Sequence, residues 1–132
     1  MSKPEQKHQI AVANQLRLEF PNLLWTISPA GLITRPSTGI LAVRMGYRKG
    51  TSDLLIFEPR GWFHGLFIEL KANDGKPSDE QLKFLAQAGF LRYATAVTWT
   101  FEETMSTVRN YMALEPFSRK VVINNGVLNE KG

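Results

Sequence analysis

The chain has 132 residues, one domain's worth, with 43% apolar residues, a formal charge of +4, two histidines and no cysteine. That composition excludes a disulfide framework, zinc–thiolate sites, thiol nucleophiles and a histidine-rich metal centre. The polar start "MSKPEQKHQI" has no apolar core, and no apolar run approaches a membrane span, so a soluble cytoplasmic protein with no membrane partner is expected.

Residues 3–20 read as a helix. Ile10, Ala13, Leu16 and Phe20 fall near helical spacing and are expected to face the core, Ser2 with Glu5 fits a capping box, and Pro21 stops the helix. Leu23 to Ile27 is a short strand, and "SPAGLITRPSTG" reads as a long loop because of its breakers. Ile40 to Met45 forms a short helix closed by Gly46. Gly46 and Gly50 then bracket a basic turn before the buried strand Leu54 to Phe57. Pro59 and Gly61 make a hairpin-like connection to a strand from Leu66 to Lys71.

Ser78 and Gln81 form a second capping box, which opens a helix to about Ala88 ended by Gly89, with Leu82, Leu85 and Phe90 toward the core. Arg92 to Thr98 is β-branched and aromatic, hence another strand. Thr100 with Glu103 caps a last helix to about Ala113, and Pro116 breaks the chain. In the tail, Asn125-Gly126 is a hairpin turn signal. The predicted order α, β, α, ββ, α, β, α gives an α/β fold with a mixed sheet flanked by helices. Residues 1–115 make the domain, and residues 116–132 a tail or hairpin without an assigned role.

Charge is unevenly spread. No acidic residue lies between Glu19 and Asp53, while Arg35, Arg44, Arg48 and Lys49 do. Such a block suits a polyanion, with a solvated basic face as the plainer reading.

The stretch "LFIELK" ends an apolar run in two opposite charges. Side chains i and i+2 share a face of a strand, so Glu69 and Lys71 point one way with Phe67, while Leu66, Ile68 and Leu70 point the other. Their Cα atoms are expected ~6.6 Å apart, close enough to touch one ligand. If the strand starting after Asp53 is its antiparallel neighbour, Asp53 and Glu69 converge. Two carboxylates there form an oxygen-rich pocket suited to Mg²⁺, with the lysine ammonium able to orient water or balance developing negative charge. The plainer alternatives are a turn residue at Asp53 and an edge-strand ion pair at Glu69 and Lys71.

"GYRKGTSDLLIFEPRGWFHGLFIELKANDGKPSDEQLKFL" resembles the VRR-NUC nuclease domain of the PD-(D/E)XK superfamily. The shared pattern is a glycine-flanked basic turn, D-L, a hairpin, E-x-K and an S-x-E-Q helix, here Gly46, Lys49, Gly50, Asp53, Leu54, Gly65, Glu69, Lys71, Ser78, Glu80 and Gln81. The likeness is strongest over residues 46–90 and extends more weakly across residues 3–113. The length resembles that of the stand-alone bacterial and phage members, which are implied to be homodimers that cut four-way DNA junctions. Many relatives carry an "NGG"-like turn where this chain reads Ser28-Pro29-Ala30-Gly31, a departure that leaves that loop's DNA contact unassigned.

The resemblance implies a restriction-endonuclease-like fold and a Mg²⁺- or Mn²⁺-dependent endodeoxyribonuclease. It implies that Asp53, Glu69 and the Leu70 carbonyl hold the metal, and that Lys71 positions the attacking water. An acid from the first helix is implied as well. Glu5 and Glu19 lie on one helical face with Gln9, Val12 and Leu16, yet roughly 21 Å apart, so one alone can reach the metal. Glu5 matches the family's acid-then-glutamine entry, although it also suits capping by Ser2. Gln81 is implied near the site and equally completes the Ser78 cap. Arg44, Arg48 and Lys49 are the candidate DNA contacts. Trp62 and Phe63 could wedge between bases, meet a partner or cover the core; His64, Trp25 and Trp99 read as structural, the tryptophans in the core. The competing readings are a less selective nicking or restriction-like endonuclease, a non-catalytic DNA-binding module on the same fold, and a structural protein with a basic surface.

Overall fold

A computed structural model describes residues 1–117 with their side chains, and the backbone of residues 120–124 and 127–131. Helix α1 is Lys3–Glu19, strand β1 Trp25–Ile27, and helix α2 Pro36–Arg44, with a 3-10 turn at Pro29–Leu32 between them. Strands β2 (Leu54–Ile56) and β3 (Leu66–Leu70), helix α3 (Asp79–Phe90), strand β4 (Ala94–Thr98) and helix α4 (Phe101–Met112) follow. Strands β5 (Lys120–Asn124) and β6 (Val127–Lys131) form an antiparallel pair; the Asn125-Gly126 turn signal itself lies outside the described residues.

The sheet runs β1-β2-β3-β4. β1 and β3 are both antiparallel to β2, while β4 is parallel to β3 and reached through α3, so the sheet is mixed as expected. Alternation along β3 divides its side chains between two layers. Leu66, Ile68 and Leu70 join Val12, Leu16, Met105, Val108 and Tyr111, which builds the main core between the sheet and the α1–α4 pair. Phe67 takes the other face, stacked on Tyr93 at 4.4 Å and tilted against Phe84 of α3 at 6.0 Å. All five residues of β3 are buried, including Glu69. Covering both faces of one strand makes its end a site shielded from water.

Ser78 and Gln81 exchange both capping-box bonds as expected, whereas Ser2 and Thr100 cap one way only, accepting from the Glu5 and Glu103 N–H groups, and the Glu103 carboxylate accepts the Trp99 N–H instead. Several faces and boundaries differ. The buried stripe of α1 is His8, Val12 and Leu16, whereas Ile10 is 62% exposed. That stripe includes a histidine held by two hydrogen bonds, a polar residue that an apolar pattern passes over. On α3, Leu85 and Ala88 are buried while Leu82 and Phe90 are exposed. Gly89 continues this helix, and the chain turns instead at Arg92, which takes φ of 70°. Pro29 and Pro36 begin the 3-10 turn and α2 rather than marking a loop, because proline lacks only an N–H that the first turn leaves unpaired. β1 and β4 are shorter than the apolar runs that contain them, since each ladder ends where its neighbour does.

Candidate active site

Asp53 precedes β2 and points across to β3. Its Oδ2 accepts the Leu70 N–H at 2.8 Å, so a carboxylate takes the place of the carbonyl that a longer β2 would offer. The bond fixes Asp53 beside Glu69, whose side chain leaves the Phe67 face of β3. Both carboxyls are buried, with Asp53 6% and Glu69 1% exposed. Lys71 follows the strand, and its Nζ lies 3.7 Å from Glu69 Oε1. On α3, Gln81 Nε2 donates to the same Oε1 at 2.7 Å, while Gln81 Oε1 accepts the Ser78 N–H at 2.8 Å. One amide therefore serves the helix cap and the carboxylate together, and the two expected roles of Gln81 coexist.

Glu69 Oε2 is buried and lacks a hydrogen-bond partner. Burial pushes the Glu69 carboxyl up to about 9, with the neighbouring Asp53 adding to the effect, the Lys71 ammonium opposing it and Glu5 contributing a smaller push. A buried orphan oxygen on a carboxyl that neighbours a second carboxylate is costly unless a proton or cation joins it. The donor set of hard carboxylate oxygens fits Mg²⁺ or Mn²⁺.

Glu5 stands close to this pair. A side chain added at Gly75 would come within 3.4 Å of Glu5 Oε1 and 3.6 Å of Lys71 Cδ, so these two flank Gly75. Among the described residues no three His, Cys, Asp or Glu side chains gather to hold an ion. The arrangement is a carboxylate pair, with Glu5 acting on Glu69 through space. Glu19 is remote in role: its carboxylate pairs with Arg109 of α4 at 2.9 Å.

The basic turn between α2 and β2 packs against the same helix as Gln81. Gly50 has φ of 87°, and a Cβ there would overlap the Glu80 carbonyl and come within 2.8 Å of Gln81 N. Arg48 donates to Gln87 and lies 5.5 Å from the Phe84 ring centroid, so it is seated on α3. Arg44 and Lys49 are exposed, and with Arg35 they line a groove that also contains Ile33, Ile40 and Val43.

No protein-family model matches the sequence, and no curated protein matches it. A solved structure described as a VRR_NUC domain protein superposes with a TM-score of 0.71 at 22% identity, covering 89% of this chain and 95% of that one. This chain has the VRR_NUC fold. Within the VRR_NUC fold, its four-stranded mixed sheet brings Asp53, Glu69, Lys71 and Gln81 together at the C-terminal end of β3.

Sequence reasoning missed a buried polar set next to the site. His8 Nδ1 meets the Lys71 carbonyl at 3.0 Å and Nε2 meets Thr104 Oγ1 at 3.0 Å, while Thr104 meets Thr98 Oγ1 at 2.7 Å. The available signal was spacing: His8, Val12 and Leu16 recur every four residues and mark the buried stripe. Trp99, expected in the core, is 39% exposed and donates its indole N–H to the Gly75 carbonyl at 2.7 Å. Trp25 is partly buried against the core. Phe63 packs against the core beside Tyr111, whereas Trp62 is exposed under the Arg92 guanidinium, 3.7 Å from its ring centroid.

Proposed function

We propose that this chain is a divalent-metal-dependent DNA endonuclease that hydrolyses phosphodiester bonds. The observation that carries the reading is the buried Asp53–Glu69 pair with its unpartnered Oε2 and the Lys71 ammonium 3.7 Å from the other oxygen. A structural ion pair explains Glu69 and Lys71, and the Leu70 N–H accounts for one Asp53 oxygen, but neither explains why a second carboxylate is buried against Glu69.

Asp53, Glu69 and the Leu70 carbonyl would hold Mg²⁺ or Mn²⁺, with Glu5 as a further acid on the approach. When bound, such an ion polarises the scissile phosphate and lowers the pKa of water. Lys71 is the group to orient the attacking water and to balance charge that develops on the phosphate oxygens. Gln81 holds Glu69 Oε1, which would leave Oε2 available to an ion. Arg44, Arg48 and Lys49 supply phosphate contacts, supported by the acid-free stretch that contains them. Residues 1–115 carry this activity. A homodimer acting on branched DNA completes the reading, since a two-fold dimer matches the symmetry of a four-way junction.

The test is cleavage of labelled four-way junctions, flaps and linear duplexes with Mg²⁺ or Mn²⁺, by the wild type and by Asp53→Ala and Lys71→Ala. Cutting by the wild type alone supports the site; equal cutting by all three overturns it. Equal rates on linear and branched DNA would retain the nuclease and replace branch selectivity with a nicking or restriction-like activity. Mass measurement in solution tests the dimer.

A further inference from the structure

We infer that His8 is a positioning residue for Lys71, acting through the Lys71 backbone carbonyl. The inference rests on the nuclease reading of Lys71.

β3 ends at Leu70, and the chain enters a turn in which Asn73 takes φ of 52°. Lys71 sits at this junction between sheet and turn, and each side of it is held by a different element. Its N–H donates to the Thr98 carbonyl at the end of β4 at 2.8 Å. Its carbonyl meets His8 Nδ1 at 3.0 Å, from the second turn of α1. A carbonyl only accepts, so Nδ1 carries the hydrogen. Nε2 meets the Thr104 hydroxyl, which also reaches the Thr98 hydroxyl at 2.7 Å and the Thr100 carbonyl at 2.9 Å, so a buried polar set backs the ring. The direction of the His8–Lys71 bond is the same whichever of these partners takes the Thr104 hydrogen.

The same helix turn carries Glu5, three residues earlier and therefore on the same side of α1. α1 thus delivers an acid toward the Lys71 side chain and a donor to the Lys71 backbone. His8 is 9% exposed, and its two ring nitrogens meet Lys71 and Thr104, so its reach is to the protein rather than to a substrate. Its effect is on where the Lys71 ammonium stands relative to Glu69.

Three variants separate this role from simple support of the core. Asparagine places an amide N–H on Cγ, at the same bonded distance as Nδ1, and keeps the donation to Lys71. Glutamine carries its amide one carbon further, toward Thr104. Alanine keeps neither. In the full chain with Mg²⁺, His8→Ala and His8→Gln are expected to lower kcat on the order of 10²-fold with KM little changed, as a displaced catalytic group does. His8→Asn should retain activity within ~5-fold of wild type, against that 10²-fold scale. Assays run well below each variant's melting temperature, so loss of folded protein does not enter. His8→Asn as poor as His8→Ala, or His8→Ala as fast as wild type, overturns the assignment.

Nitrogen NMR of the wild type gives a second readout that needs no DNA: a protonated Nδ1 is expected, and a bare Nδ1 overturns the proposed grip on Lys71. A wild type that cuts no DNA with either metal defeats the nuclease reading, while this spectrum still decides whether His8 holds Lys71.

Discussion

Gln81 Nε2 and Glu69 Oε1 lie 2.7 Å apart, which joins the first turn of α3 to the buried end of β3. With one oxygen of Glu69 held from α3 and the other unpartnered, the carboxyl has a fixed direction and one unsatisfied oxygen. The expected behaviour of the molecule follows from that asymmetry and from the Asp53 carboxylate beside it.

Asp53 has separable structural and chemical roles. Asp53→Ala leaves the buried Leu70 N–H without its acceptor and should cost about 1–3 kcal/mol of stability. Asp53→Asn retains an amide oxygen for that N–H and should cost less. Both should abolish metal-dependent cleavage, because neither supplies a second carboxylate. Urea unfolding beside a cleavage assay reads the two effects independently.

Glu69 makes the metal-free fold sensitive to pH. Its carboxyl is raised from 4.5 to about 9 in the folded chain, first by burial and then by Asp53. The folded chain then keeps a proton that the unfolded chain has released, so stability falls as pH rises between those values. The contribution is fully present below about 4.5 and lost as pH climbs toward about 9. Glu69→Gln removes the charge and should raise Tm in EDTA at pH 8, with little gain at pH 5. Each ~1 kcal/mol gained moves Tm by about 4 °C in a domain of this size. A gain that is equal at both pH values would rule out charge burial as the cause.

A cation should act in the opposite sense. Ligand at 100 times its Kd stabilises a fold by about 2.7 kcal/mol. Mg²⁺ or Mn²⁺ should therefore raise Tm, more at pH 8 than at pH 5, because the proposed ligands are ionised carboxylates. Asp53→Asn and Glu69→Gln should lose this response. Differential scanning calorimetry with and without the ion is the measurement.

Two glycines of the basic turn provide an internal control. Gly46 and Gly50 both have positive φ, at 113° and 87°, but only Gly50 abuts backbone. Gly46→Ala should cost about 1 kcal/mol from conformation alone. Gly50→Ala should add roughly 1–3 kcal/mol for the overlap with Glu80. It should also lower cleavage, since the α3 turn that holds Gln81 must shift. Equal activity in the two variants would mean that α3 does not set the Glu69 geometry.

Lys49 and Arg48 should separate in the same way. Lys49→Ala should weaken DNA binding and reduce the salt dependence of log K by ~1. Arg48→Ala should also lower Tm, because Arg48 packs on Phe84 and Gln87. Fluorescence anisotropy across a salt series and thermal melts distinguish them.

The sequence by itself determined the elements whose signals are local. Period-two alternation placed Glu69 with Phe67 and apart from Leu66, Ile68 and Leu70, and the caps at Ser2, Ser78 and Thr100 required only residues within one turn. Neighbouring strands then made Asp53 a foreseeable partner of Glu69. The tertiary structure decided what depends on packing between distant segments. Leu82 lies three residues from the buried Leu85 yet faces outward, as do Ile10 and Phe90, because the docking of each helix decides which of the stripes its periodicity allows is buried. His8 and Thr104 are ordinary polar residues in the sequence. They become a strut for Lys71 only where α1, β4 and α4 meet, since a buried polar group is defined by the partners that folding brings to it.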